Sequence, residues 1–263
     1  MDRKTAIVTG ASSGIGLETA KQLASEGYVV YGLSRREGFA EEIRYICCDV
    51  TDEKAVDDAV AAVIKESGSL DAAVNCAGFG ISGAIEFTST EEAKRLFDVN
   101  FFGMVNVNRA CIPHLRKTKG RIVNISSVAA PAAIPFQAYY SASKSAINSY
   151  SMALANELRP WGISVVAVMP GDTCTGFTDA REKSIEGDEL YGGRIGRSVG
   201  KMENDERRGM SAENAARAVC RAVTSRSERP LRTIGLQYKL IVLLLKLLPA
   251  AWSNRLIGLI YSG

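Results

Sequence analysis

The chain has 263 residues, 46% of them hydrophobic and 23% charged, with 32 basic residues against 29 acidic and a single histidine, which suits one α/β domain with a sizeable core. Residues 233–263 hold Lys239, Lys246 and Arg255 and no acid, so residues 1–232 carry 29 charges of each sign and lack the basic face that nucleic acid would need. One histidine also excludes zinc sites built on several, and any Ser-His-Asp scheme would rest on His114 alone.

In chain order the pattern reads strand 6–8, helix 15–26, strands 28–33 and 43–47, helix 53–67, strand 72–74, helix 90–111, strand 121–125, helix 138–159, strand 163–169 and helix 211–225. Most of the strands are too short and too continuously apolar to face solvent on one side. Near-strict alternation predicts a doubly wound parallel sheet in a three-layer α/β/α single domain over residues 1–235. No repeat or linker divides it. The stretch 179–209, rich in charge and glycine, reads as a mobile substrate lid or a solvated loop.

Strand one runs into Thr9-Gly10-Ala11-Ser12-Ser13-Gly14-Ile15-Gly16, which opens the first helix. Glycines there let the backbone approach a pyrophosphate, and the helix N-terminus offers N–H groups and partial positive charge. The spacing is G-x-x-x-G-x-G rather than G-x-G-x-x-G. Strand two ends before Arg35-Arg36, where an acid would hold the ribose 2′-hydroxyl of NAD; arginines suit a 2′-phosphate, which favours NADP.

From Ile122 to Ser143 the chain carries no charge over 22 residues, and Lys144 ends the run. Polar Asn124, Ser126, Ser127, Gln137 and Ser141 make it a central strand and its exit loop, not a membrane span. Tyr140 and Lys144 stand four apart and share a helix face. A phenol near pKa 10 is a poor base unless a cation stabilises its phenolate, and Lys144 can supply one. Tyr139 has Ser143 at the matching position.

Together Thr9 to Gly16, Asn75-Cys76-Ala77-Gly78, Asp98-Val99-Asn100, Ile125-Ser126-Ser127, Tyr140 to Lys144 and Pro170-Gly171 resemble the short-chain dehydrogenase/reductase family in order and spacing, over about residues 4–235. The segments Cys48-Asp49-Val50-Thr51-Asp52 and Thr175-Gly176-Phe177 resemble its hydroxysteroid-dehydrogenase-like branch. The resemblance implies a Rossmann-type fold, with Tyr140 as general acid/base, Lys144 lowering its pKa and holding the nicotinamide ribose, Ser127 orienting the carbonyl, and Asn100 anchoring a relay water. It also places a dinucleotide along Gly10, Ser12, Ser13, Gly14, Ile15 and Gly16, with Asp49 and Val50 at the adenine. Asn75, Ala77 and Gly78 would support it, and Pro170, Gly171, Thr173 and Thr175 would hold the nicotinamide end. Two positions depart from the family pattern: Cys76 replaces a second asparagine, and Ser13 is not basic.

The expected activity is an NADP-dependent hydride transfer between nicotinamide and a secondary alcohol or ketone, lipophilic and steroid-, retinoid- or lipid-like. A 3-ketoacyl-thioester reductase and a non-catalytic NADP-binding sensor or scaffold are the alternatives, and the intact Ser127, Tyr140 and Lys144 weigh against the last. A homodimer or homotetramer is expected, and no metal. The six cysteines form no C-x-x-C pair and are expected as reduced, mostly buried thiols, Cys174 included. The opening MDRKTAIVTG reaches a strand too soon for a signal peptide, so a cytoplasmic place is expected.

In the C-terminal extension 236–263 the unbroken apolar run 240–245 is too short to span a bilayer. An interfacial helix on anionic lipid, a cover on a greasy pocket and a subunit interface all fit.

Overall fold

The computed structural model describes residues 3–225 and 227–262. In chain order its main elements are β1 (Thr5–Thr9), α1 (Gly14–Ser25), β2 (Val29–Ser34), β3 (Ile43–Cys47), α2 (Glu53–Ser67), β4 (Ala72–Asn75), α3 (Thr90–Phe97), α4 (Gly103–Thr118), β5 (Arg121–Ile125), α5 (Ala138–Leu158), β6 (Ser164–Met169), α6 (Arg194–Arg207), α7 (Ala212–Thr224), β7 (Leu231–Thr233), α8 (Leu236–Leu247) and α9 (Ala250–Ser262). The sheet runs β7-β6-β5-β4-β1-β2-β3, parallel throughout. This is the expected Rossmann-type, doubly wound layer order.

Alternation along the strands builds two cores. Ile7, Ala73, Ile122 and Val165 face α2, α4 and α5. Ala6, Val8, Val74, Val123 and Val166 face α1 and α7. Burial on both sides explains the continuous apolar runs. The winding reverses between β1 and β4, where Thr9 pairs with Asn75, and such a switch point leaves a crevice at the strands' carboxyl ends.

Local chemistry fixes the helix starts. Asp52 accepts the Ala55 N–H at 3.0 Å, and Ser89 and Glu92 cap α3 reciprocally. The expected helix 90–111 is instead α3, a π turn at Asp98–Phe102, and α4. Segment 179–209 is not an open loop: Ile195, Val199 and Met202 recur at helical spacing and bury the inner face of α6. Two short pairings, Ile81–Ser82 with Glu182–Lys183 and Thr173–Cys174 with Met210–Ser211, tie this segment to the body. The three-residue β7 was too short to stand out.

The cysteines need a partial correction. Cys48, Cys111 and Cys220 are buried and Cys76 half-buried, but Cys47 and Cys174 are exposed. Cys174 lies in a two-residue edge strand with no core above it. His114 is half-buried on α4, and burial lowers its pKa. Beyond the sheet, α8 and α9 meet at Pro249. Among the described residues no helix is long and apolar enough to cross a membrane.

Candidate active site

The glycine turn is packed backbone against backbone. The Thr9 hydroxyl accepts the N–H groups of Cys76 (3.1 Å) and Ala77 (3.0 Å). A Cβ at Gly16 would lie 2.3 Å from the Gly10 carbonyl oxygen, and one at Gly10 would lie 2.9 Å from the Ala77 nitrogen. Gly10 and Gly14 also have φ of +65° and +55°, a region that favours glycine. Ser13 caps α1 in extended backbone without a side-chain hydrogen bond. Its hydroxyl and the helix N-terminus open on the crevice.

That crevice is a cavity of ≈ 640 Å³ along the carboxyl edge of the sheet. Gly10, Ser12, Ser13, Gly14, Ile15, Gly16, Arg35 and Arg36 line one end, with Asp49, Val50, Ala77 and Gly78 beside them. Ser127, Tyr140, Lys144, Pro170, Gly171, Thr173 and Thr175 line its middle. No helix joins β2 to β3, so exposed Arg35 and Arg36 stand directly at the rim.

Two expected residues lie behind the wall. Asn75 donates to Asn108 and Asn124, each at 2.8 Å, inside a buried amide network. Asn100 receives the Phe79 N–H and returns a bond to the Phe79 carbonyl, both at 2.9 Å. The π turn aims it there, a distortion that recurs at functional sites. Asn100 thus holds the loop at Phe79, and Asn75 ties the end of β4 to α4 and β5.

The middle is stitched by the serines of the uncharged stretch. Ser126 donates to the Lys144 carbonyl at 3.0 Å and Ser143 to the Tyr140 carbonyl at 2.8 Å, while Ser141 accepts the Ile134 N–H at 3.2 Å. Tyr140 and Lys144 are 9% and 5% exposed on α5. Burial raises the Tyr140 phenol to about 12, and a hydrogen bond with Ser127 and the nearby Arg181 charge work against it. Burial pushes the Lys144 amine down to about 8. Lys144 Nζ donates to the Ile125 carbonyl at 2.9 Å and lies 5.5 Å from the Tyr140 ring centroid. The pair can hold and release a proton beside a buried carbonyl.

The other end is made of residues the sequence did not single out for it. Phe79, Arg95, Met202, Glu206 and Tyr261 line it with Phe177. The buried Arg181 guanidinium pairs with Glu206 and sits 5.7 Å from the Phe177 ring. Glu206 also accepts the Thr178 hydroxyl at 2.7 Å. Tyr261 comes from α9, and burial raises its phenol further still. No spacing in the sequence marked these residues, because they converge from five separate segments: the loop at Phe79, α3, the stretch 177–181, α6 and α9.

The sequence matches the short chain dehydrogenase family over residues 4–186. The chain belongs to that family. Among relatives, the 3-ketodihydrosphingosine reductase of Bacteroides thetaiotaomicron is 42% identical over 237 residues, covering 89% of this chain and 88% of that protein. Estradiol 17-beta-dehydrogenase 2 of Rattus norvegicus is 39% identical over 200 residues, 69% of this chain and 51% of that protein, in keeping with a hydroxysteroid-dehydrogenase-like branch. A solved short-chain dehydrogenase from Streptomyces avermitilis superposes with a TM-score of 0.82 at 30% identity, covering 92% of each chain. This short-chain dehydrogenase is therefore an oxidoreductase acting on CH–OH or keto groups, of a family that uses nicotinamide dinucleotides. Its own residues fit such a cofactor: the cradle at Gly10 and Gly16 has no room for a Cβ, and the cavity runs unbroken from there to Tyr140.

Proposed function

We propose that the chain is an NADP(H)-dependent reductase of a lipophilic ketone, with 3-ketodihydrosphingosine or a similar ketone on a long alkyl chain as substrate. The observation that carries this reading is the continuity of the cavity past Tyr140 into an end walled by Phe79, Phe177, Met202 and Tyr261, where the charged lining residues Arg95 and Glu206 are paired with Glu182 and Arg181. Such a wall suits an alkyl chain better than a sugar or a free acid.

When bound, the dinucleotide supplies the hydride. Arg35 and Arg36 would hold the 2′-phosphate at the rim. The glycine turn, Ser12 and Ser13 would take the pyrophosphate, Asp49 and Val50 would border the adenine, and Pro170, Gly171, Thr173 and Thr175 would hold the far end. Ser127 would donate to the ketone oxygen and fix its direction. The Tyr140 phenol, protonated at neutral pH as any phenol is and held more firmly so by burial, would hand its proton to that oxygen. The charged Lys144 would stabilise the phenolate left behind and steady the ribose. Asn100 and Asn75 would act as positioning residues through the Phe79 loop and the strand ends, with Asn100 anchoring a relay water. The segment 179–209, through α6, would cover the substrate.

For assembly we propose a homodimer or homotetramer, using apolar side chains such as Phe102 and Met152 that the body leaves 52% and 41% exposed. A cytoplasmic, membrane-peripheral place suits a substrate of this kind. Purified protein given NADPH or NADH with a long-chain 3-oxo lipid tests the reading by absorbance at the nicotinamide band. Oxidation of NADPH in preference to NADH is expected. Preference for NADH would sink the argument from Arg35 and Arg36, and no oxidation with any lipophilic ketone would sink the substrate.

A further inference from the structure

The outer surface of α8 and α9 inverts the usual order of a surface helix. Leu236, Leu240, Leu243, Leu247, Trp252 and Leu259 are between 53% and 74% exposed. The first four stand at i, i+4, i+7 and i+11 and form one stripe down α8. Contiguous apolar surface of this kind marks a contact site. Its only formal charges are Lys239, Lys246 and Arg255, with no acid anywhere in residues 233–263.

The inner side of the same two helices is part of the site. The Tyr238 hydroxyl donates to Asp172 Oδ2 at 2.7 Å and accepts the Asp172 N–H at 3.1 Å, next to Gly171. Tyr261 lines the substrate end of the cavity. Whatever covers the outer face therefore lies one helix thickness from the substrate.

We propose that α8 and α9 dock this apolar, acid-free face on an anionic phospholipid bilayer, so that a lipid substrate enters the cavity beside Tyr261 directly from the leaflet. Charge complementarity selects this occupant. A two-fold contact with a second copy would set basic face against basic face, whereas a bilayer takes up leucines and Trp252 at its interface and pairs the cations with lipid phosphates. The inference rests on the lipophilic substrate proposed above, but its test does not depend on turnover.

The full chain carrying Trp161→Phe leaves Trp252 as its one tryptophan, since the sequence holds two. It is mixed with vesicles of phosphatidylcholine alone or with phosphatidylglycerol, with and without brominated acyl chains. Sedimentation with the phosphatidylglycerol vesicles, loss on adding salt, and quenching of Trp252 by the brominated chains are expected. Each basic residue at an anionic surface contributes about a fivefold gain in binding, so Lys239→Gln, Lys246→Gln and Arg255→Gln combined should weaken binding by about a hundredfold. Leu240→Gln with Leu243→Gln should weaken it without changing NADPH oxidation on a water-soluble ketone. Absence of sedimentation, equal binding by the charge variant, or self-association that Leu243→Gln abolishes would overturn the proposal. Vesicle binding by a protein that turns over no lipophilic ketone would leave docking standing and remove the substrate reading alone.

Discussion

The two ends of the cavity are built differently. The phosphate end is built mainly of backbone: Gly10 and Gly16, whose Cβ positions are already filled by neighbouring main chain, laid on strand ends that the sheet register fixes, with Arg35 and Arg36 added at the rim. The substrate end consists of side chains from the loop at Phe79, α3, α6, α9 and the segment around Phe177, held by the buried Arg181–Glu206 pair. The pyrophosphate is the same group in either nicotinamide dinucleotide, so its cradle can be rigid main chain. A substrate varies, and side chains on peripheral elements can vary with it.

Substitutions in the middle of the cavity should separate chemistry from binding. Tyr140→Phe should cut turnover by about a thousandfold while NADPH binding, read by fluorescence, stays as in the wild type. A parallel loss of binding would mean that the two ends are not separable.

Lys144→Met should also lose most turnover yet gain stability. The folded protein holds the Lys144 amine at about 8, below its ordinary 10.5, so the unfolded chain binds the proton more tightly. Stability then rises as pH climbs from 8 towards 10.5, by about 3 kcal/mol, and at pH 7 the wild type carries that full cost. In urea melts the advantage of Lys144→Met over wild type should be about 2.5 kcal/mol larger at pH 7 than at pH 10. Beyond that Tyr140 reverses the trend, since the folded phenol keeps its proton to about 12 while the unfolded one loses it near 10. Ketone reduction by the wild type should fall as pH rises through 8 and Lys144 loses its charge.

At the phosphate end, Arg35→Ala with Arg36→Ala should weaken NADPH binding by about a hundredfold, two charge-assisted bonds' worth, and leave NADH binding unchanged. At the substrate end, Tyr261→Ala should raise KM for a long-chain ketone about tenfold, the loss of roughly half a buried aromatic contact, with the NADPH affinity intact. Calorimetry of both variants with both dinucleotides checks this contrast. An effect of Tyr261→Ala on NADPH affinity would blur it.

How much of this was legible in the sequence follows the same division. The glycine turn, Arg35-Arg36 and the Ser127, Tyr140, Lys144 set could be read because each sits at a fixed offset from a strand end, and strands show as apolar runs. The uncharged stretch pointed to a buried centre because an unpaired charge is costly on a strand and loop that the sheet buries, and two of its serines prove to bond loop to helix. The π turn at Asn100 left no mark in periodicity, since one extra residue in a turn shifts a helical stripe too little to notice. The helix α6 was hidden by charge and glycine around its three buried apolar residues. Tyr261 lies 121 positions after Tyr140, 261 − 140, and only the folding back of α9 brings both to one cavity. The basic excess of the last residues was visible from the start, but not that its helices face the site on one side.

The most direct test of the central claim is a single turnover with NADPH deuterated at both C4 positions and a long-chain 3-oxo lipid, the product analysed by mass spectrometry. One deuterium on the new carbinol carbon, formed by the wild type and not by Tyr140→Phe, is the predicted result. An unlabelled alcohol, or unchanged ketone after incubation with the wild type, would contradict it.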